Sequence, residues 1–208
     1  FDVSQQPAGW TTDSRVRGMD VAQFLDALNQ GDQRLDGTAT VSATLQGRVG
    51  ASLIESVRGR ARVEVTDGVI REFPLLAYVN TALRLAEQEG RDTRFSRLNA
   101  TLTIASGAAT TDDLVLQASH LRVEATGRIG ADRSLSLRGT AAVSPERSAE
   151  AIRSIRELSG LRNRQGEVEI PLTISGTLDD PGFTLDLGAV LKKGIADELR
   201  RRLLRIIK

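Results

Sequence analysis

Few side chains in this sequence are of the kind that make or break bonds, and their spacing argues for structure rather than chemistry. There is one histidine, His120, and no cysteine. Thiolate nucleophiles, disulfide frameworks, thiolate metal sites and histidine metal clusters are therefore excluded. A Ser-His-Asp triad has a single candidate base in His120. That residue stands at a break between two strand-like runs, a place that suits an exposed or turn-capping histidine. No G-x-S-x-G or H-E-x-x-H motif occurs. The acidic pairs Asp112-Asp113 and Asp179-Asp180 lie beside turn residues at strand ends, and neither fills the ligand spacing of a calcium loop, so both read as turns. Asn99-Ala100-Thr101 matches a glycosylation acceptor but falls within a predicted strand, and the single aromatics Trp10 and Tyr78 read as packing residues. The expectation is a protein that is not an enzyme and uses no metal or cofactor. A hydrolase built on His120 is the enzymatic alternative.

Composition narrows the classes further. The formal charge is +1 over 208 residues, so no general electrostatic attraction to nucleic acid or an acidic partner is expected. Aromatics make up 3% of the chain, too few to build stacking platforms for bases. The apolar content is Leu, Ile, Val and Ala, and no run approaches the roughly 18 residues of a membrane span. The chain opens at Phe1 without a visible signal peptide, and is read as a processed product or a fragment of something longer, with any anchor or targeting segment left off.

What must position these side chains is a set of alternating strands. Residues 98–143 carry the clearest pattern: a meander whose Leu, Ile and Val alternate with Thr, Arg, Ser and Glu, broken by Gly, Ser and Asp. Residues 127–132 read as one of its turns. Before it, residues 6–9 read as a hairpin turn with residues 14–18 returning, and Asp20 caps a short helix striped by Val21, Phe24, Leu25 and Leu28. Strands follow at 37–45 and 59–65, with one or two helical turns between them over 50–56. Asp67-Gly68 reads as a tight turn into a return strand. Pro74 opens a helix striped by Leu75, Leu76, Val79, Leu83 and Leu85. After the meander, Ser144-Pro145 starts a helix striped by Ile152, Ile155 and Leu158 and stopped by Gly160. Residues 167–178 form the longest clean alternation, and Pro171 on its polar side implies an edge or a bulge. Residues 183–187 return from it. A last helix over about 188–206 has Leu191, Ile195, Leu199 and Leu203 in a row with Lys and Arg around it, read as docking on the sheet or, alternatively, lying on an anionic membrane. Gly-x-Ala-x-Val recurs at Gly37, Gly59 and Gly139, read each time as a strand opening.

The fold class expected is α+β: a large, curved, mostly antiparallel sheet, a half-barrel or groove, with a few helices packed on or capping it. About nine or ten strands each have one apolar face, and three substantial helices are too few to cover it. The concave side would then suit acyl chains, whose recognition needs apolar area and little hydrogen bonding. Its candidate lining is Leu98, Leu102 and Ile104 in one strand, Leu114 and Leu116 in the next, Leu121 and Val123 in a third, Leu135 and Leu137 in a fourth, and Val168, Ile170, Leu172 and Ile174 in the long strand near the end. A closed sandwich or barrel with an ordinary packed core is the alternative.

The sequence also resembles the C-terminal domain of the AsmA-like family. The likeness rests on Gly59-Arg60-Ala61 through Asp67-Gly68-Val69-Ile70, on residues 95–101, and on residues 170–181, which read I-P-L-T-I-S-G-T-L-D-D-P. In order and spacing it runs from about residue 36 to 187, and the basic helix after Leu187 lies outside it. The segments expected are 1–35, the end of a preceding piece of sheet plus a short helix; 36–187, the β-groove domain; and 188–208, the basic amphipathic helix. The resemblance implies a periplasmic protein held to the inner membrane by an N-terminal segment absent from this chain. It implies phospholipid acyl chains as ligand and a role in moving phospholipid between inner and outer membranes and in outer-membrane assembly. It also implies no catalytic motif. Envelope assembly proteins are further expected partners, and a non-lipid interaction scaffold of the envelope is the alternative function.

Overall fold

The computed structural model describes residues 9–27, 34–49, 53–85, 90–178, 180–186 and 188. The described strands form one antiparallel sheet of nine in simple sequence order, each hydrogen-bonded to the next. They are β1 (Gly9–Asp20), β2 (Leu35–Arg48), β3 (Arg58–Ile70), β4 (Thr93–Ala105), β5 (Ala108–Gln117), β6 (Leu121–Gly130), β7 (Ser134–Val143), β8 (Val168–Thr177) and β9 (Pro181–Leu185). The helices are α1 (Val21–Ala27), α2 (Leu53–Ser56), α3 (Leu75–Ala82) and α4 (Pro145–Ser154), the last followed by a 3₁₀ turn over Arg156–Leu161. A large open sheet with few helices is the architecture the alternation predicts.

The connections sort by end. α1, α3 and α4 join β1 to β2, β3 to β4 and β7 to β8, so all three sit at one end of the sheet. At the opposite end α2 lies in the β2–β3 connection, while β4–β5 and β6–β7 are joined by short turns. Between β4 and β5 the loop is Ser106-Gly107, both with positive φ (48° and 68°), as a two-residue hairpin of matching twist requires. Between β6 and β7, Asp132 accepts hydrogen bonds from the Ser134 amide at 3.1 Å and hydroxyl at 2.6 Å. These bonds, the hydroxyl first, hold the Asp132 carboxyl below the usual carboxylate range.

The helices form where caps and stripes dictate. The Gln23 amide donates to Asp20 Oδ1 at 3.0 Å, the expected cap of α1, although Phe24 on its predicted stripe is exposed. In α3 the stripe of Leu75, Leu76 and Val79, extended past its end by Leu83 and Leu85, is wholly buried. Pro74 is the residue before that helix rather than its first. Thr93 fastens its start: the Thr93 hydroxyl donates to the Phe73 carbonyl and accepts from the Leu75 amide at 3.2 Å. α4 has Ser144 at its N-cap and Pro145 at its first position. It stops at Ser154 rather than at Gly160, because Ile155 is extended (φ −134°, ψ 91°) and Gly160 falls within the 3₁₀ turn.

The sheet is curved from β4 to β9. In a flat sheet these strands would lie five spacings apart, roughly 24 Å. Yet Phe73, whose carbonyl is tied to Thr93 at the start of β4, meets Phe183 of β9 edge-on at 4.4 Å between ring centroids. Tyr78 of α3 approaches the same ring at 6.3 Å. The sheet bends round α3, and one contiguous core joins residues from β2 to β8 with α3, α4 and the 3₁₀ turn.

Several local expectations are corrected. Residues 14–18 do not return from a hairpin; they are the middle of β1, paired to β2 from Gly9 onward, and residues 6–8 lie outside the described residues. Asp67-Gly68 is a bulge, not a turn: β3 continues through it to pair Gly68 with Phe95 and Ile70 with Thr93. Asp67 takes φ 52°, and the register against β2 slips by one residue there. Gly127 to Gly130 belong to β6, and the turn is confined to residues 131–133. Gly139 lies within β7 rather than opening it. Asp112-Asp113 form a bulge inside β5, where register slips against both β4 and β6. β8 is flanked on both sides, but β9 ends at Leu185 opposite Leu172, so the imide of Pro171 faces the point where pairing stops. Leu25 and Leu28, Asp179, Leu187 and the helix expected over 188–206 fall on residues whose side chains or placement lie outside those described.

Candidate functional site

The apolar face of the sheet is covered unevenly, and the unevenness has a direction. Along β8, from the helix end to the turn end, relative exposure rises from 0% at Val168 and Ile170 to 2% at Leu172 and 7% at Ile174. On β5 the same order takes Leu116, buried, to Leu114, half-buried, then past the buried Thr111 to Ala109, half-buried. On β2 it takes Ala39, buried, to Val41, Ala43 and Leu45, half-buried. On β4, Phe95 is buried while Leu102 and Ile104 are half-buried. The cause is topological: side chains from α1, α3, α4 and the 3₁₀ turn enter the core from one end.

The thirteen candidate lining residues divide along this gradient. Leu116, Leu121, Val123, Leu135, Leu137, Val168, Ile170, Leu172 and Ile174 are buried members of the core. Leu98 and Leu114 are half-buried and pack against it. Leu102 and Ile104 are half-buried and belong to neither group, as does Leu45 of β2. Register brings these three together: Leu45 opposes Gly59, which opposes Ile104, and Ala61 opposes Leu102. Leu45 and Ala109 were not anticipated for this surface. Their alternation was visible, but nothing in sequence indicates at which end the helices stop.

The other face of β1 to β4 is hydrophilic and indented. Two adjoining depressions share Arg15, Ser42, Arg62 and Thr101, residues that stand in register across four strands. Asp113 borders one of them. Its Oδ1 accepts the Thr101 amide at 2.6 Å and the Thr111 hydroxyl at 3.2 Å, filling the gap in the β4–β5 ladder that the bulge opens. The Thr101 hydrogen bonds, helped by Thr111 and by the positive charge of Arg62, hold the Asp113 carboxyl below the usual carboxylate range.

The residues first considered for chemistry are dispersed. His120 lies in the β5–β6 turn, where its backbone carbonyl accepts the Ser144 amide at 2.9 Å. Among the described residues no three His, Asp or Glu side chains gather as metal ligands. Trp10 lies over Gly47, where any larger side chain would strike its indole, and Asn99 is within β4. No described helix is long and apolar enough to cross a membrane. Comparisons with protein-family models, with curated proteins and with solved structures found no match.

Proposed function

We propose that this chain is a non-catalytic lipid-binding domain of the cell envelope, whose curved sheet forms a half-barrel groove for phospholipid acyl chains. The observation that carries the reading is the burial gradient: helices close the apolar face at one end and leave Leu45, Leu102, Ile104 and Ala109 half-exposed at the other. An acyl chain laid on that end would gain about 0.8 kcal/mol for each methylene withdrawn from water, without needing a polar partner. The sequence likeness to the AsmA-like C-terminal domain supports the choice of phospholipid, the periplasmic location and the attachment of the whole protein to the inner membrane.

Native mass spectrometry with lipid extraction tests this. Purified protein is expected to carry phospholipid, and a Leu102→Asp, Ile104→Asp variant to lose it while unfolding at nearly the same denaturant concentration, because neither residue belongs to the core. Lipid-free wild-type protein, or equal lipid on the variant, would instead favour an interaction scaffold.

A further inference from the structure

Arginine dominates the hydrophilic depressions behind β1 to β4. Arg15 of β1, Ser42 of β2 and Arg62 of β3 are consecutive register partners, so both arginines project from the same face with a serine between them. Arg17 borders one depression and Arg60 the other. All four arginines are exposed.

The carboxylates nearby are already engaged. Asp13 Oδ1 accepts the Thr44 hydroxyl at 2.6 Å, Asp113 holds the Thr101 amide, and Glu64 pairs with Arg97 at 3.4 Å. Among the described residues, Arg15, Arg17, Arg60 and Arg62 enter none of the ion pairs, which run instead through Arg34, Arg71, Arg97, Arg122 and Arg147. Four arginines line the two depressions against Asp13, Glu64 and Asp113, and Glu64 is taken up by Arg97, so positive charge is in excess and none of the four guanidinium groups is held in an ion pair among the described residues. The backbones of Arg15 and Arg62 lie two strand spacings apart, roughly 9.5 Å. Two arginine side chains reaching inward across that gap can close on a single tetrahedral oxyanion, and the planar fork suits the two-pronged contact that phosphate oxygens make.

We propose that this trough is a binding site for a phosphate-bearing anion. Arg15 and Arg62 clamp one phosphate over the Ser42 hydroxyl, and Arg17 and Arg60 extend the site to a second anionic group. It lies on the opposite side of the sheet from the apolar face, so it stands whether or not that face binds lipid. The same chemistry is presented by a free polyphosphate and by the headgroup of an anionic lipid.

Two probes separate those sources: inorganic pyrophosphate by titration calorimetry at low salt, and flotation with phosphatidylglycerol or phosphatidylcholine vesicles. Pyrophosphate binding without flotation assigns a soluble phosphate ligand, and flotation with phosphatidylglycerol alone assigns a headgroup. In either case the Arg15→Gln, Arg62→Gln double variant should bind at least about tenfold more weakly, as loss of charge-assisted hydrogen bonds implies. Arg15→Lys, Arg62→Lys should fall between, and Arg138→Gln, on the same face over β7, should match the wild type. Unchanged unfolding midpoints would show that the variants are folded. Binding of neither probe, or equal binding by the double variant and the wild type, overturns the proposal.

Discussion

Ser148 offers a quantitative check on how α4 is locked to the sheet. Its side chain is fully buried. The Ser148 hydroxyl donates to the Val143 carbonyl at 2.8 Å and accepts from the Val168 amide at 2.8 Å. Val143 and Val168 are register partners at the ends of β7 and β8, so the hydroxyl is inserted where a direct ladder bond would otherwise form. Ser148→Ala removes both bonds and leaves a buried donor and a buried acceptor. Each lost bond costs about 1 kcal/mol net, and an orphaned buried polar group about 1–3 kcal/mol. If the two strands cannot close up, the orphan penalty takes the place of the net bond values, and the two groups together come to about 2–6 kcal/mol, a large share of a domain's stability. Equilibrium urea unfolding followed by circular dichroism measures it. Ser148→Thr keeps the hydroxyl but adds a methyl to a packed site, and should lose about 1–3 kcal/mol by overpacking alone. A Ser148→Ala loss below about 0.5 kcal/mol would show that the strands re-pair directly, and would refute the view that this hydroxyl is an obligatory part of the β7–β8 joint.

Three further outcomes are expected. Ile170→Ala should cost about 2–5 kcal/mol in urea unfolding, whereas Leu102→Ala, on a half-exposed side chain outside the core, should cost about 1 kcal/mol or less, reading the burial gradient directly as stability. Gly139→Ala should prevent stable folding or cost at least about 3 kcal/mol, because the new Cβ would stand 1.9 Å from the Glu124 carbonyl oxygen and 2.7 Å from the Ala125 Cα, both backbone atoms; thermal unfolding of the purified variant measures this. Asp113 has a lowered folded-state pKa, so its stabilising contribution is present above the ordinary carboxylate pKa of about 4 and is lost as pH falls through the lower folded value. Asp113→Asn should therefore flatten the loss of stability as pH falls below about 4, measured by urea midpoints through the acid range.

The strands were legible because one-sided burial writes itself into sequence as a period of two. The helix stripe of Leu75, Leu76, Val79, Leu83 and Leu85 was equally plain and is buried throughout. Continuity of strands through bulges was not read, although a signal existed. Inward residues switch parity at each slip: Ala109 and Thr111 give way to Leu114 and Leu116 around Asp112-Asp113, and Ala61, Val63 and Val65 give way to Gly68 and Ile70 around Asp67. Asp and Gly at these places look like turn residues because a bulge asks for the same local freedom as a turn; Asp67 and Gly18 both adopt positive φ. Only the resumption of alternation in the same direction tells the two apart. The extent of cover on the apolar face was beyond sequence reach, since it depends on which ends the connections occupy and on the bend that brings Phe183 to Phe73. The arginine trough was hidden for a related reason. Arg15 and Arg62 are far apart in the chain, and only the pairing of β1, β2 and β3 aligns them.

The central claim is that the turn end of the apolar face holds phospholipid chains, and a photo-crosslinker on either side of β4 tests it most directly. Leu102 and Thr103 are adjacent and project to opposite faces. With p-benzoylphenylalanine at each position in turn, in cells grown with radioactive phosphate, the account predicts a labelled phospholipid adduct from position 102 and none from 103. Equal labelling at the two positions, or none at 102, would contradict it.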